Sequence, residues 1–384
     1  MSVKYLGYYD TQTNESENRG FFLAASQKMD YILGVLSRAG YSVQVVSAST
    51  TRNAHSYRGK IISLKDGTTL RLFRTLPWGG MPRRVTSRLS MQLFLFLWLL
   101  FNTRKREDVI VYHSLGYASA VALAHSMRGF RLILEVEEVY ADVSGRRKDR
   151  KREYSLFDRA DAFIFPTELM NQTLNPGGKP YVVVHGTYDV EPERRRCFRD
   201  GRIHVVYAGT FDPRKGGGVA AVAAAEYLDA RYHLHIIGFG SDSDTQLLIS
   251  QVDALSKRAD CRLTYDGLLA GEEYSHFLQS CDIGLSTQKL AGSFNETSFP
   301  SKVLSYMANG LRVVSIRLPV LEQSGVGDMI IYYDEDAAPA IANAIKSVDI
   351  SQPHDGRQRL RELDAAFATA LGALMGERVS GGRS

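Results

Sequence analysis

Two Rossmann-like α/β domains in tandem are the fold class that this chain of 384 residues predicts. Short apolar runs alternate with amphipathic helical stretches, the pattern of parallel sheets covered on both faces. A charge-rich stretch without periodicity, TYDVEPERRRCFRDGR at 187–202, interrupts that alternation, and the same order then restarts. The turn after the first strand of the second half, FDPRKGGG, is rich in glycine, as phosphate-binding strand-to-helix turns are. Each half is large enough to bury a core of its own.

In order, Lys4 to Tyr9 is a strand, 10–20 a polar loop, and Phe21 to Arg38 a helix stopped by Gly40. Tyr41 to Val46 is a strand, and 60–73 a hairpin around Asp66-Gly67. A helix from Arg83 to Phe101 leads to a buried strand at Val109 to Tyr112. Next come a helix from Tyr117 to Met127, a strand at 131–136, a helix at Glu153 to Asp158, and strands at Ala162 to Phe165 and Tyr181 to Val184. After the linker, strands are expected at Ile203 to Tyr207, Tyr232 to Ile237, Leu263 to Tyr265, Asp282 to Ser286, Leu311 to Ile316 and Met329 to Tyr332, with a last helix at 356–376. The expected domains are 1–190 and 191–355, and 356–384 is a helix returning to the first domain with a loose tail.

Hydrophobic content of 44% and charged content of 23% suit an ordinary globular protein. A net charge of +5 is too small to argue for nucleic acid, and fits a phosphorylated partner or an anionic surface. Cys197, Cys261 and Cys281 have no metal-ligand spacing and read as free thiols. The chain enters a strand at once, so no signal peptide is expected. The longest apolar run, Leu93 to Phe101, is short of the ~20 residues that span a bilayer. Its helix is flanked by Arg83, Arg84, Arg88, Arg104, Lys105 and Arg106. It reads either as a buried helix with solvated ends or as a face that meets a membrane-held acceptor.

Four segments carry chemistry. In NETSFPSKVLSYMANGLRVVS, residues 295–315, Pro300 is expected at the first helical position, Gly310 at the stop, and Leu311 to Val314 in a strand. Such a helix start at a sheet edge attracts an anion, and Lys302 adds a full charge. In FDPRKGGG, Arg214 and Lys215 stand beside the glycines that let a diphosphate approach. The run Glu135 to Asp142 puts four acidic residues at a strand end, where carboxylates can hold sugar hydroxyls or act as a base. The same residues also suit an acidic loop paired with the basic run GRRKDRKR. His113 ends the strand DVIVY, as a catalytic or a structural histidine. The glycines of IIGFGS lack the third glycine and the acidic residue of a dinucleotide fingerprint. No cluster has metal-ligand spacing.

Phe299-Pro300-Ser301-Lys302, then Tyr306 to Gly310 and Val313-Val314-Ser315, resemble the donor-binding helix of family-four (group 1) glycosyltransferases, above all those that assemble bacterial surface polysaccharides. The resemblance implies a GT-B fold, two Rossmann-like domains with parallel sheets facing an interdomain cleft. It implies a retaining, metal-independent enzyme of hexosyltransferase type that uses a nucleotide-sugar, UDP- or GDP-linked, as substrate and needs no cofactor. The acceptor would be a glycan or lipid-linked sugar, and the location cytoplasmic, at the inner face of the membrane. A nucleotide-sugar epimerase or hydrolase on the same fold, or a non-catalytic nucleotide-sugar-binding subunit, are the alternatives.

Residue by residue, the resemblance assigns the diphosphate to Gly209, Thr210, Arg214, Lys215, Ser301 and Lys302. Thr210 stands where the family carries an arginine. Gly238, Gly267 and Leu268 would lie near the base, and Ser298, Phe299 and Pro300 near the donor. The family's two glutamates, eight residues apart, fall on Thr297, with Glu296 beside it, and on Ser305, so the ribose-binding carboxylate is missing. Glu137 or, by preference, Glu138 takes the place of a sugar-contacting histidine. Asn18, Arg19 and Gly20 occupy the acceptor-side loop, near His113.

Overall fold

The computed structural model describes residues 2–21, 23–140, 147–214, 216–289 and 298–376. The chain divides into two compact units, Met1–Thr187 with Ala366–Ser384, and Tyr188–Ala365.

The first unit is built on strands β1 (Ser2–Gly7), β2 (Ser42–Ser47), β3 (Lys60–Ser63), β4 (Thr69–Leu72), β5 (Asp108–Tyr112), β6 (Arg131–Glu135), β7 (Ala162–Phe165) and β8 (Tyr181–Val183). Their order is β3-β4-β2-β1-β5-β6-β7-β8. All neighbours run parallel except the hairpin β3–β4, whose turn places Asp66 and Gly67 at φ 54° and 72°. RLILE and AFIF are buried at every position, as strands covered on both faces must be. Phe367 stacks on Tyr31, and the carbonyl of Leu374 accepts from Arg131, so the end of the helix Gly356–Gly376 packs in this unit.

The helix Met81–Asn102 runs 22 residues, well beyond the apolar run of the sequence, and is long and apolar enough to cross a membrane. Met91, Leu95, Trp98 and Leu99 on one face are buried in the unit's core. The opposite face carries Met81, Val85, Leu89, Leu93, Leu97 and Phe101, all exposed, at a spacing of four residues. The helix is therefore amphipathic in an unusual sense, apolar on both its inner and its outer row.

The second unit holds β9 (Ile203–Thr210), β10 (Tyr232–Phe239), β11 (Arg262–Gly267), β12 (Ile283–Ser286), β13 (Arg312–Ile316) and β14 (Ile330–Tyr333), all parallel, in the order β11-β10-β9-β12-β13-β14. The order reverses at β9, and a crevice beyond the strand ends at such a point is where ligands bind. Gly238 pairs with Gly209 at φ 137°, and a Cβ there would lie 1.8 Å from the Gly209 carbonyl oxygen.

Three details differ from the sequence reading. A helix at Glu168–Leu174 was not foreseen, although Thr167 caps it by accepting from the Met170 amide at 3.2 Å. The helix Arg147–Arg159 starts earlier than Glu153, because its first turns are almost wholly charged and show no apolar period. Pro300 is the N-cap of the helix Ser301–Ala308 and not its first residue; its extended ψ of 98° leaves its carbonyl to accept from the Val303 amide.

The reversal at β9 is held open by one side chain. The pairing of β9 with β12 covers only Ile283↔Val205 and Gly284↔Val206. One step further, the buried hydroxyl of Tyr306 accepts from the Ala208 amide at 2.9 Å and donates to the Leu285 carbonyl at 3.1 Å. It replaces the next rung of the ladder. Gly284 has no Cβ for the reason this wedge supplies, since one would lie 2.3 Å from Tyr306 Cγ. Tyr306→Phe should cost ~1–3 kcal/mol in a urea titration, because it strands a buried amide and a buried carbonyl. A loss within experimental error would show that the hydroxyl carries no load.

Candidate functional site

The Tyr306 wedge fixes the helix Ser301–Ala308 with its first turn beside the end of β9. Lys302, in that turn, lays its ammonium 3.9 Å from the centroid of the Tyr207 ring. A Cβ on Gly209 would sit 2.6 Å from Lys302 Nζ, so glycine is what lets the cation reach the strand end. Tyr207 in turn donates to the Thr210 carbonyl at 2.9 Å. Ser301 is exposed beside Lys302. The structure thus brings Gly209, Thr210, Ser301 and Lys302 together.

The turn after β9 adds a second helix start. Gly216, at φ 68°, caps the helix Gly217–Ala224. Thr287 donates to the Gly217 carbonyl at 2.8 Å, and Lys289 donates to the Pro213 carbonyl at 3.0 Å while its methylenes lie against Gly216. Lys289 is a cation that sequence reasoning missed; its signal was a lysine three residues beyond β12. Lys215 lies outside the described residues. Arg214, assigned to the diphosphate by the resemblance, makes a two-pronged pair with Asp212 and is 89% exposed at the side chain. That is a correction: its fork is occupied by a carboxylate two residues away. It borders a cavity of about 520 Å³ with Thr210, Phe239, Gly240 and Asp244.

Around this centre, Gly238 is the penultimate residue of β10, and Gly267 turns the chain at φ 85° before the exposed Leu268. Ser298 and Pro300 are half-buried, and Phe299 is buried. Ser305, in the place of the ribose-binding glutamate, has its hydroxyl 3.1 Å from that of Tyr274. Glu296 and Thr297 lie outside the described residues.

In the first unit, the end of β6 gathers charge. Glu135 is fully buried and receives the Tyr5 hydroxyl, while its Oε1 has no partner among the described residues. Lys28, buried, pairs with Glu137 and donates to the Val184 carbonyl at 2.9 Å. Glu138 is exposed. So Glu137 is tied to a lysine, and Glu138 is the one that faces solvent. Tyr5 and Lys28 were not singled out from the sequence, whereas Glu135 opens the acidic run that was. Lys28 and Tyr5 sit far along the chain from β6, and only the sheet order joins them.

Two expectations on this side are corrected. His113 is 1% exposed, with its Nε2 2.6 Å from Glu153 Oε1 and its ring between Tyr140 and Phe157. It holds the core together and does not face a substrate. Arg19 is 3% exposed, bonded to Glu17 at 2.7 Å and to the Phe73 carbonyl at 3.0 Å. Asn18 is exposed in the left-handed region at φ 42°. Gly20 does border a cavity of about 600 Å³ beyond β1, β2 and β5, together with Thr50, Arg52, Trp78, Arg88 and Ser114. Arg84 and Arg88 both lie within 6 Å of the Trp78 ring, at 5.7 and 5.6 Å.

Burial, then the Glu137 charge, pushes the Glu135 carboxyl from 4.5 up to about 8. The folded chain therefore keeps a proton that the unfolded chain releases, and stability that is complete below the lower value is lost as pH rises through the upper one. Glu135→Gln cannot ionise and should flatten the fall in stability between roughly pH 5 and pH 8. An unchanged slope would mean that Glu135 is ionised throughout.

Residues 202–348 match the model of the family described as glycosyl transferases, group 1. The amylovoran biosynthesis glycosyltransferase AmsK of Erwinia amylovora is 27% identical over 238 residues, 58% of this chain and 55% of its own length. The chain thus spans about half the length of that curated relative. Among solved structures, a UDP-forming trehalose-phosphate synthase from Burkholderia xenovorans is similar over 98% of both chains, with a TM-score of 0.64 at 12% identity. HepE of Anabaena, solved in complex with UDP and glucose, is similar over 98% of this chain and 97% of its own, with a TM-score of 0.60 at 11% identity. At such identities these two show the fold alone, and that fold is GT-B. The segment 202–348, most of the second unit, is thus similar to the group 1 glycosyl transferases.

Proposed function

We propose that the chain is a retaining glycosyltransferase that moves a hexose from a nucleoside diphosphate, UDP or GDP, to a glycan or lipid-linked acceptor in surface polysaccharide synthesis. The observation that carries this reading is Lys302. Its ammonium and the first turn of its helix meet at the end of β9, where the strand order reverses. A leaving diphosphate gains charge as the glycosidic bond breaks. A fixed cation and a helix start at that point stabilise the transition state more than the ground state. Lys289 and the start of the helix Gly217–Ala224 add to the same field, and Lys215 belongs with them on the resemblance. In this reading cationic side chains do what a divalent ion does in other sugar transferases, and no catalytic metal is needed.

The names of relatives support the substrate class. HepE is described with UDP and glucose, an Escherichia coli relative with UDP-2-fluoro glucose, and AmsK with amylovoran biosynthesis. Ser305 and Tyr274 would hydrogen-bond the ribose in place of a carboxylate, more weakly than a charged acceptor does. Glu296 and Glu138 would orient the sugar. That same hydroxyl pair is what favours the second reading, a nucleotide-sugar-binding subunit without activity.

Lys302→Ala should lower kcat by about 10²–10³-fold, the loss typical of one transition-state donor. Near-normal turnover would remove Lys302 from the mechanism. Assay of nucleoside diphosphate release from UDP- and GDP-hexoses separates the two readings, since an enzyme turns one of them over and a binding subunit without activity turns over neither.

The acceptor reading extends to the outer row of the helix Met81–Asn102. Leu123 and Met127 on the helix Ala118–Arg128 are exposed as well. Arg83, Arg84, Arg88, Arg104, Lys105 and Arg106 are all exposed on or just beyond the long helix. An apolar row among cations is suited to the surface of an anionic bilayer, here the inner face of the cytoplasmic membrane. Sedimentation with phosphatidylglycerol vesicles should fall with added salt and should be lost in Leu89→Glu with Leu93→Glu. Absence of sedimentation at low salt would sink this part of the proposal.

A further inference from the structure

Away from the strand ends that form the candidate site, three histidines meet at the start of β9 and β10. His204 is the second residue of β9 and pairs in register with His233, the second residue of β10. His235 follows two residues later on the same face. All three are buried, and one donor atom from each lies within 4.8 Å of the other two. Nothing in the spacing of the sequence reveals the group, because parallel pairing and not proximity along the chain assembles it.

The hydrogen bonds around the rings fix where their lone pairs point. His204 Nε2 faces Asp200 Oδ1 at 2.9 Å, and His235 Nδ1 faces Asp266 Oδ2 at 3.0 Å. Asp266 also accepts from Thr264 at 2.8 Å. Ionised carboxylates only accept, so both outer ring nitrogens must donate. The inner nitrogens, His204 Nδ1 and His235 Nε2, stand 2.9 Å apart. If both rings are neutral, two lone pairs face each other at contact distance. A cation must lie between them, either an added proton or a metal ion. The third ring, His233, brings a further nitrogen within 4.8 Å of both, and a proton shared by the first two would leave it unused. A divalent ion would balance the two carboxylates instead. Carboxylates that orient the far nitrogens of metal-bound imidazoles are a recurrent feature of such centres.

We propose that His204, His233 and His235 bind a divalent transition metal of the zinc type, with Asp200 and Asp266 orienting two of the rings. The inner separation is about half an ångström shorter than the ~3.4 Å edge of a tetrahedral site with bonds of ~2.1 Å, so loading spreads the two rings slightly. The Phe198 ring lies flat on His204 and His235, with centroids 4.2 and 4.9 Å away, and Phe277 meets His235 edge-on. Phe198 and Asp200 belong to the irregular segment that leads into β9. The ion therefore ties that segment to the sheet, a structural role remote from sugar transfer.

The test uses the full, untagged chain stripped with a chelator and titrated with Co²⁺ and then Zn²⁺. One equivalent of Co²⁺ should give the intense visible bands of a tetrahedral centre, and Zn²⁺ should displace it and raise the melting temperature. His233→Asn should abolish the bands. Asp200→Asn, which keeps an accepting oxygen and removes the charge, should weaken binding by about 10–100-fold. Absence of a stoichiometric site, or equal binding by the parent and both variants, would overturn the proposal.

Discussion

A single tyrosine hydroxyl opens the second sheet. Tyr306 stands in for the rung that β9 and β12 no longer make to each other, and its ring fills the space that a side chain on Gly284 would need. Two strands that would otherwise zip together are held apart at their ends. The helix that carries Tyr306 is thereby fixed to the sheet, and with it the position of Lys302 four residues earlier, more than one helical turn closer to the opening. Packing and electrostatics are thus one device. The buried hydroxyl sets the register of the helix, and the helix delivers its dipole and its lysine to the place where the ladder parts.

The close approach depends on what is missing as much as on what is present. Gly209 and Gly238 face each other across β9 and β10, and neither tolerates a Cβ without displacing Lys302 or the neighbouring carbonyl. An ammonium lying on the Tyr207 ring loses part of its hydration and has that loss offset by the aromatic face. It remains a cation at a strand end, next to two helix starts. The first unit arranges its charge differently. There a lysine, two glutamates and a tyrosine are drawn into the sheet, and one of the glutamates is kept neutral by burial.

Much of this was legible in the residues. Period, capping glycines and apolar runs gave the two sheets, because parallel strands buried on both faces leave a continuous apolar signature. That Lys302, Ser301 and Gly209 lie together was legible because a helix start after a proline and a glycine at a strand end flank the same sheet opening. What escaped is instructive in physical terms. His113 and Arg19 looked available because they end strands or sit in loops, but partners distant in sequence, Glu153 and Phe73, draw them into the core. Arg214 looked like a phosphate ligand until Asp212 took its fork. Tyr5, Lys28, Lys289 and the three histidines of the second sheet were invisible for the opposite reason. Each owes its role to strand order or to a loop path, and neither leaves a local trace. The outer row of the helix Met81–Asn102 did carry a trace, an apolar residue at every fourth position.

The most direct measurement is a crystal structure of the chain with UDP or GDP. The account predicts a diphosphate beyond the end of β9, within ion-pair distance of Lys302 Nζ and over the first turn of the helix Ser301–Ala308. A nucleotide seated elsewhere, or that opening filled by an apolar side chain, would contradict it.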